Sequence, residues 1–196
     1  MKKSAQTVLR EGTYYTIAAA NGRVLEVADF NTENGASVRL WSYEGQPWQQ
    51  WSFEEAAEGQ YRIRNRFTGK VMDLALSGVA NGTWVHQWSA TSGSGQRWAV
   101  ESAGNGRVKL RNILADKVLD LVGMRMDNGT QAQVWQDVSG ENQVWKLDPV
   151  PAKLLQKEMP DPPPVRTAPK STRTQTGKGT QAKKTGGKAA RRAAKK

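Results

Sequence analysis

The chain has 196 residues, with 29 Lys and Arg against 18 Asp and Glu, a single His and no Cys. Without cysteine there is no disulfide framework, thiolate nucleophile or Cys-ligated zinc, and His86 alone cannot build a two-histidine metal site, so neither a metal nor a cofactor is assigned. The formal net charge of +11 lies wholly in residues 151–196, which hold 13 Lys and Arg against 2 Asp and Glu, while all eight Trp, four Tyr and three Phe come before residue 150.

Residues 1–11 read as a lead-in. Lys2 and Lys3 are followed by polar sequence, and Arg10 and Glu11 interrupt before an apolar stretch of signal-peptide length forms. No run approaches the roughly 18 apolar residues of a membrane helix. Together with the absence of Cys this sets the expectation of a cytoplasmic setting, although release by a non-classical route would leave the same marks.

Residues 12–150 repeat themselves. Trp51, Trp98 and Trp145 recur at a step of 47, each two positions after Gln49, Gln96 and Gln143. The same step relates Trp41, Trp88 and Trp135, the pairs Asn34-Gly35, Asn81-Gly82 and Asn128-Gly129, and Gly12, Gly59 and Gly106. Three ungapped copies follow, at about 12–58, 59–105 and 106–150. Within a copy, short alternating runs such as Tyr61 with Ile63 and Leu119 with Leu121 are broken every 8–12 residues by Gly, Asn, Asp and Ser, the pattern of strands rather than helices. About four strands per copy predict about twelve in all, with the Asn-Gly pairs as type I′ hairpin turns. Three copies are too few for a propeller, which leaves a threefold β-barrel with a hairpin cap.

Three Gln-x-Trp motifs at this period, Gln49-Gln50-Trp51, Gln96-Arg97-Trp98 and Gln143-Val144-Trp145, resemble the ricin B-type lectin family. The resemblance covers nearly all of residues 12–150 and implies an all-β β-trefoil, with Trp51, Trp98 and Trp145 in the core. It also implies shallow pockets for a galactose-like or related sugar, each built from an Asp in a Leu-Asp-Val-like strand, an aromatic platform about 15 residues later, and Gln or Asn near the Gln-x-Trp motif. The chemistry fits independently of the family: hydroxyls need carboxylates and amides, and the C–H face of a sugar lies on an indole.

The third copy matches that pattern throughout, with Asp120, Gln133, Trp135, Asn142 and Gln143, and alternation puts Gln133 and Trp135 on one face of their strand and Ala132 and Val134 on the other. The second copy keeps Asp73 and Trp88 but has His86 for the Gln and Gly95 for the Asn, a secondary site. The first has Glu26, Arg39 and Trp48 at these places, and a Glu26–Arg39 salt bridge is expected to close it. Plainer roles stand beside these: Asp120 as a turn acceptor, Trp135 as an ordinary strand aromatic and His86 as an exposed strand residue. No catalytic triad, Gly-x-Ser-x-Gly or phosphate loop is present, so the chain is expected not to be an enzyme.

Residues 151–164 form a Pro-rich linker, with a short helical turn around Leu154 and Leu155 expected to dock on the barrel. Residues 165–196 read as a disordered polybasic tail, low in apolar residues and similar in composition to the tails of linker-histone-like proteins. Such a tail binds nucleic acid or another polyanion, an acidic membrane surface or cell-wall polymer included, by counterion release; a solubilising or nuclear-localising tail has the same composition. The expected function is thus non-catalytic carbohydrate binding with tethering through the tail. The alternative is an intracellular scaffold that has lost sugar binding, its trefoil contacting protein and its tail nucleic acid.

Overall fold

The computed structural model describes residues 9–156 and 159–161. Twelve strands follow one another: β1 (Tyr14–Ala18), β2 (Val24–Val27), β3 (Val38–Trp41), β4 (Trp51–Ala57), β5 (Gln60–Asn65), β6 (Val71–Leu74), β7 (Thr83–Trp88), β8 (Trp98–Gly104), β9 (Arg107–Asn112), β10 (Lys117–Leu121), β11 (Ala132–Trp135) and β12 (Trp145–Pro149). One helical turn, α1 (Ala152–Leu155), comes after them. The expected disordered tail and its expected polyanion partner, residues 165–196, lie outside the described residues.

Six strands close a ring, β1 pairing with β4, β4 with β5, β5 with β8, β8 with β9, β9 with β12 and β12 with β1, all antiparallel. Closure leaves the ring no free edge. The other six form three hairpins, β2–β3, β6–β7 and β10–β11, which meet over one end through Gln133 opposite Trp84, Ser37 opposite His86 and Arg39 opposite Gln131. At their meeting point Gln131 Nε2 donates towards the carbonyls of Val38, Val85 and Ala132 at 2.9, 3.1 and 3.1 Å, three positions one repeat apart. A six-stranded barrel capped by three hairpins is the β-trefoil.

The repeated tryptophans hold it together. Trp51, Trp98 and Trp145 are wholly buried, and each indole N–H donates to a backbone carbonyl 26 residues earlier, Leu25 at 3.0 Å, Met72 at 3.4 Å and Leu119 at 3.2 Å. The hydrogen bond satisfies the one polar atom of a side chain that otherwise contributes only apolar surface. The motif glutamines clamp the preceding loop. Gln49, Gln96 and Gln143 accept from Glu44, Thr91 and Val138 N–H at 2.8, 2.7 and 2.9 Å and donate to the carbonyls of Ser42, Ser89 and Gln136 at 2.8, 3.0 and 2.8 Å.

Two expectations are corrected. The Asn-Gly pairs that recur every 47 residues are not type I′ turns, because only their glycines have positive φ, 88°, 88° and 87° at Gly35, Gly82 and Gly129. Glu33, Ala80 and Asp127 accept the i+3 bonds from Ala36, Thr83 and Thr130, which makes these turns type II, with glycine at the third position. The type I′ pattern occurs instead at Asn105-Gly106, φ 51° and 72°, between β8 and β9. Nor are the copies strictly ungapped: Tyr61 pairs with Trp98, but Tyr15 rather than Tyr14 pairs with Trp51, so β1 is slid by one residue. The expected helical turn does dock, since the Arg66 guanidinium donates to the carbonyls of Leu154 and Leu155 at 3.3 and 2.7 Å.

Candidate functional site

In the third lobe, β10 supplies Asp120 and β11 sets Gln133 directly opposite it. The short turn before β12 brings in Asn142 and Gln143. Asp120 Oδ1 accepts from Gln133 Nε2 at 2.7 Å, and Oδ2 accepts from Asn142 Nδ2 at 2.7 Å and Gln143 Nε2 at 2.9 Å. Three of the roughly four acceptor positions of a carboxylate are filled, leaving one on Oδ1. Asp120, Gln133 and Asn142 are 3%, 7% and 5% exposed, Gln143 is wholly buried, and Trp135 stands at the surface at 36%. Ala132 and Val134, the other face of β11, are in the core as alternation predicts. Burial pushes the Asp120 carboxyl above its ordinary value, and the bonds from Gln133, Gln143 and Asn142 offset that only in part.

Two glycines shape this site without being legible as site residues. A Cβ at Gly140 would lie 2.4 Å from Asn142 Oδ1, so Gly140 keeps the space that lets Asn142 reach Asp120. A Cβ at Gly82 would lie 3.7 Å from the Trp135 ring and 3.8 Å from Gln133 Oε1, so the Asn81-Gly82 turn of the second copy lies against these two third-lobe side chains. Asn81 fixes that turn by accepting from Gln136 N–H at 2.9 Å. The repeat marks Asn81 and Gly82, but their contact with the third copy follows only from the pairing of β7 with β11.

The second lobe brings Asp73, His86 and Trp88 together in a different state. Asp73 opposes His86 across β6 and β7, yet Oδ2 is 3.6 Å from His86 Nε2, beyond hydrogen-bond range, and that buried nitrogen has no other partner. Asp73 Oδ1 accepts from the Leu74 N–H at 2.9 Å. His86 stacks on Trp88 with ring centroids 5.3 Å apart, and Gly95 contributes no side chain where Asn142 stands in the third lobe.

In the first lobe the expected salt bridge forms, Arg39 Nε to Glu26 Oε1 at 3.0 Å, and a second joins Arg39 Nη2 to Asp29 Oδ1 at 3.0 Å. The guanidinium lies over the Trp41 ring, 4.4 Å from its centroid, and covers that face of the indole. A depression of about 320 Å³ lies beside the bridge, lined by Glu26, Phe30, Arg39, Trp41 and Trp48 among others. The bridge caps the indole without filling the space between the loops.

Among the described residues no group of three or more His, Cys, Asp or Glu side chains is placed to hold a metal ion, and no helix is long and apolar enough to cross a membrane.

The profile of the family described as ricin-type beta-trefoil lectin domain-like matches residues 6–88, 65–135 and 94–155. Among solved structures, the designed threefold-symmetric protein ThreeFoil is similar at 31% identity and a TM-score of 0.67, over 68% of this chain and 96% of that one. The exo-beta-1,3-galactanase 1,3Gal43A of Clostridium thermocellum is similar at 28% identity and a TM-score of 0.70, over 73% of this chain but only 31% of the galactanase. The ricin B-like lectin of Macrolepiota procera, solved in complex with lactose, shares the fold at 21% identity and a TM-score of 0.63, over 72% of this chain and 99% of that one. No curated protein matches the chain.

Proposed function

The chain belongs to the ricin-type β-trefoil lectin domain-like family, and from that premise we propose that it is a non-catalytic carbohydrate-binding protein whose third lobe holds the sugar. The observation that carries this reading is the Asp120 carboxylate, buried, oriented by three amide donors and left with one acceptor position beside an exposed indole. An orientation fixed before the ligand arrives reduces the entropy lost on binding.

In this reading Asp120 accepts from a ring hydroxyl, the polar atoms of Gln133 and Asn142 not engaged with Asp120 take its neighbours, and Trp135 carries the C–H face of the ring. Gln143, wholly buried, acts on the sugar only through Asp120. A galactose-like or related sugar is the ligand class that the resemblance implies. The second lobe, with Asp73, His86 and Trp88, is a weaker site, because Asp73 lacks amide donors to orient its second oxygen.

The tail, residues 165–196, is proposed to tether the protein to nucleic acid or another polyanion, on the strength of its composition alone. Linking a weak sugar site to a charge-driven one raises the avidity for any surface that carries both. Glycan binding by the full chain and by Asp120→Ala, compared at an ionic strength that screens the tail, tests the central assignment. Equal binding by the two proteins would remove the third lobe from the mechanism.

A further inference from the structure

The outer wall of the barrel sets two arginines opposite each other. Strands β5 and β8 pair with Gln60 opposite Ala99 and Tyr61 opposite Trp98, so the next step of register sets Arg62 opposite Arg97. Like charges in directly opposed positions are destabilising. Neither arginine has an ion-pair partner among the described residues. Arg62 donates from Nη2 to the Thr91 carbonyl at 2.9 Å and Arg97 from Nη1 to Gln60 Oε1 at 3.2 Å, while the Nε of each is buried with no hydrogen-bond partner.

The nearby carboxylates are already committed. Glu54, opposite Arg62 across β4, gives both oxygens to Arg64 at 2.6 and 2.7 Å. Glu101 gives both to Arg111 at 2.7 and 3.1 Å. At the same step of the two equivalent junctions the register sets Thr16 opposite Gln50 and Lys109 opposite Val144, and where β9 and β12 do oppose two cations, Arg107 and Lys146, each has its own carboxylate, Glu141 and Asp148.

We infer that Arg62 and Arg97 form an anion subsite for a sulfate ester carried on a glycan, an inference that rests on the carbohydrate reading above. The wall itself indicates the chemistry. Glu54 and Glu101 show that one carboxylate is used up by one guanidinium, whereas two arginines at opposed strand positions can together match an acceptor with three free oxygens. A guanidinium drawn towards such a group also brings its orphaned Nε–H to a partner, relieving an unmade bond that costs about 1–3 kcal/mol. A polynucleotide is the poorer fit. Its charges recur every few ångströms and call for a continuous basic track, but Arg64, Lys109 and Arg111 around the pair are neutralised by Glu54, Asp137 and Glu101.

The test uses the full chain with inorganic sulfate as the first probe, read at the arginine Nε–H resonances against sodium chloride of matched ionic strength. Arg62 and Arg97 are expected to shift saturably with sulfate while Arg64 and Arg111 hold still; a common drift of all four with ionic strength overturns the subsite. The second arm compares a sulfated sugar with its unsulfated form and with a short DNA duplex, on the parent and on the double variant Arg62→Gln, Arg97→Gln. Affinity for the sulfated sugar should fall about tenfold or more with the other two unchanged. Loss of DNA binding in place of sulfated-sugar binding overturns the glycan assignment. If no sugar of either kind binds the parent but the sulfate titration saturates, the carbohydrate reading falls, and with it the glycan assignment, while the oxyanion subsite stands.

Discussion

Asp120 concentrates the energetics of the proposed site in one carboxylate. Removing it as Asp120→Ala leaves Gln133, Asn142 and Gln143 with donors that face nothing, at about 1–3 kcal/mol for an unmade buried bond, and should abolish glycan binding in an equilibrium titration. Its raised pKa also gives a signed pH dependence. The folded state holds the proton more tightly than the unfolded chain, so this group favours the fold most at low pH, and that contribution is lost as pH rises through the raised value. Sugar binding needs the ionised form and runs the other way. Affinity should fall on acidification at a pH above the 3.8 of an unperturbed aspartate, a midpoint that calorimetry at successive pH values would locate. Gly140→Ala offers a milder perturbation: the added methyl meets Asn142 Oδ1, frees one donor from Asp120 and should weaken binding by up to about tenfold. Asp120, Gln133, Trp135 and Asn142 could be read from the sequence because one copy of the repeat kept every polar type in place. Gly140 and Gly82 could not, since what they make room for is a side chain brought in by a turn or by another copy.

At the scale of an element, the Gln-x-Trp motif does two jobs that the sequence alone runs together. Gln49, Gln96 and Gln143 all clamp their loops, but Gln143 alone also reaches an aspartate in its lobe, and Gln49 reaches Glu26 instead at 3.1 Å. Gln96→Ala and Gln143→Ala should therefore destabilise the fold alike, by about 1–3 kcal/mol in denaturant titrations, while only Gln143→Ala lowers glycan affinity. Loss of affinity in both would mean that loop order, and not the Asp120 contact, governs binding. The strands were legible because their alternation is local and their tryptophans repeat. Turn type was not: Asn-Gly satisfies both a type I′ and a type II turn, and the choice at Asn34, Asn81 and Asn128 follows from connections of ten, eight and ten residues that lean on the next copy rather than from tight hairpins. Residue types predict the Glu26–Arg39 bridge but not the loop positions that keep a depression open around it.

Across the whole molecule the three copies share a fold and have diverged in chemistry. The first lobe caps its indole with Arg39, the second leaves Asp73 and His86 apart, and the third assembles a complete carboxylate–amide–indole set. The copies remain mechanically joined at their axis through Gln131, so Gln131→Ala should lower unfolding free energy by about 1–3 kcal/mol without touching Asp120, as denaturant midpoints would show. Charge is divided between the trefoil and the tail in a way the sequence displays at once, because counting needs no geometry. The measurement that bears most directly on this account is a glycan-array screen of the full chain and Asp120→Ala side by side, at an ionic strength that screens the tail. The account predicts a defined set of glycans held by the parent and lost in the variant. The same set held by both proteins, or a blank array from folded parent, would contradict it.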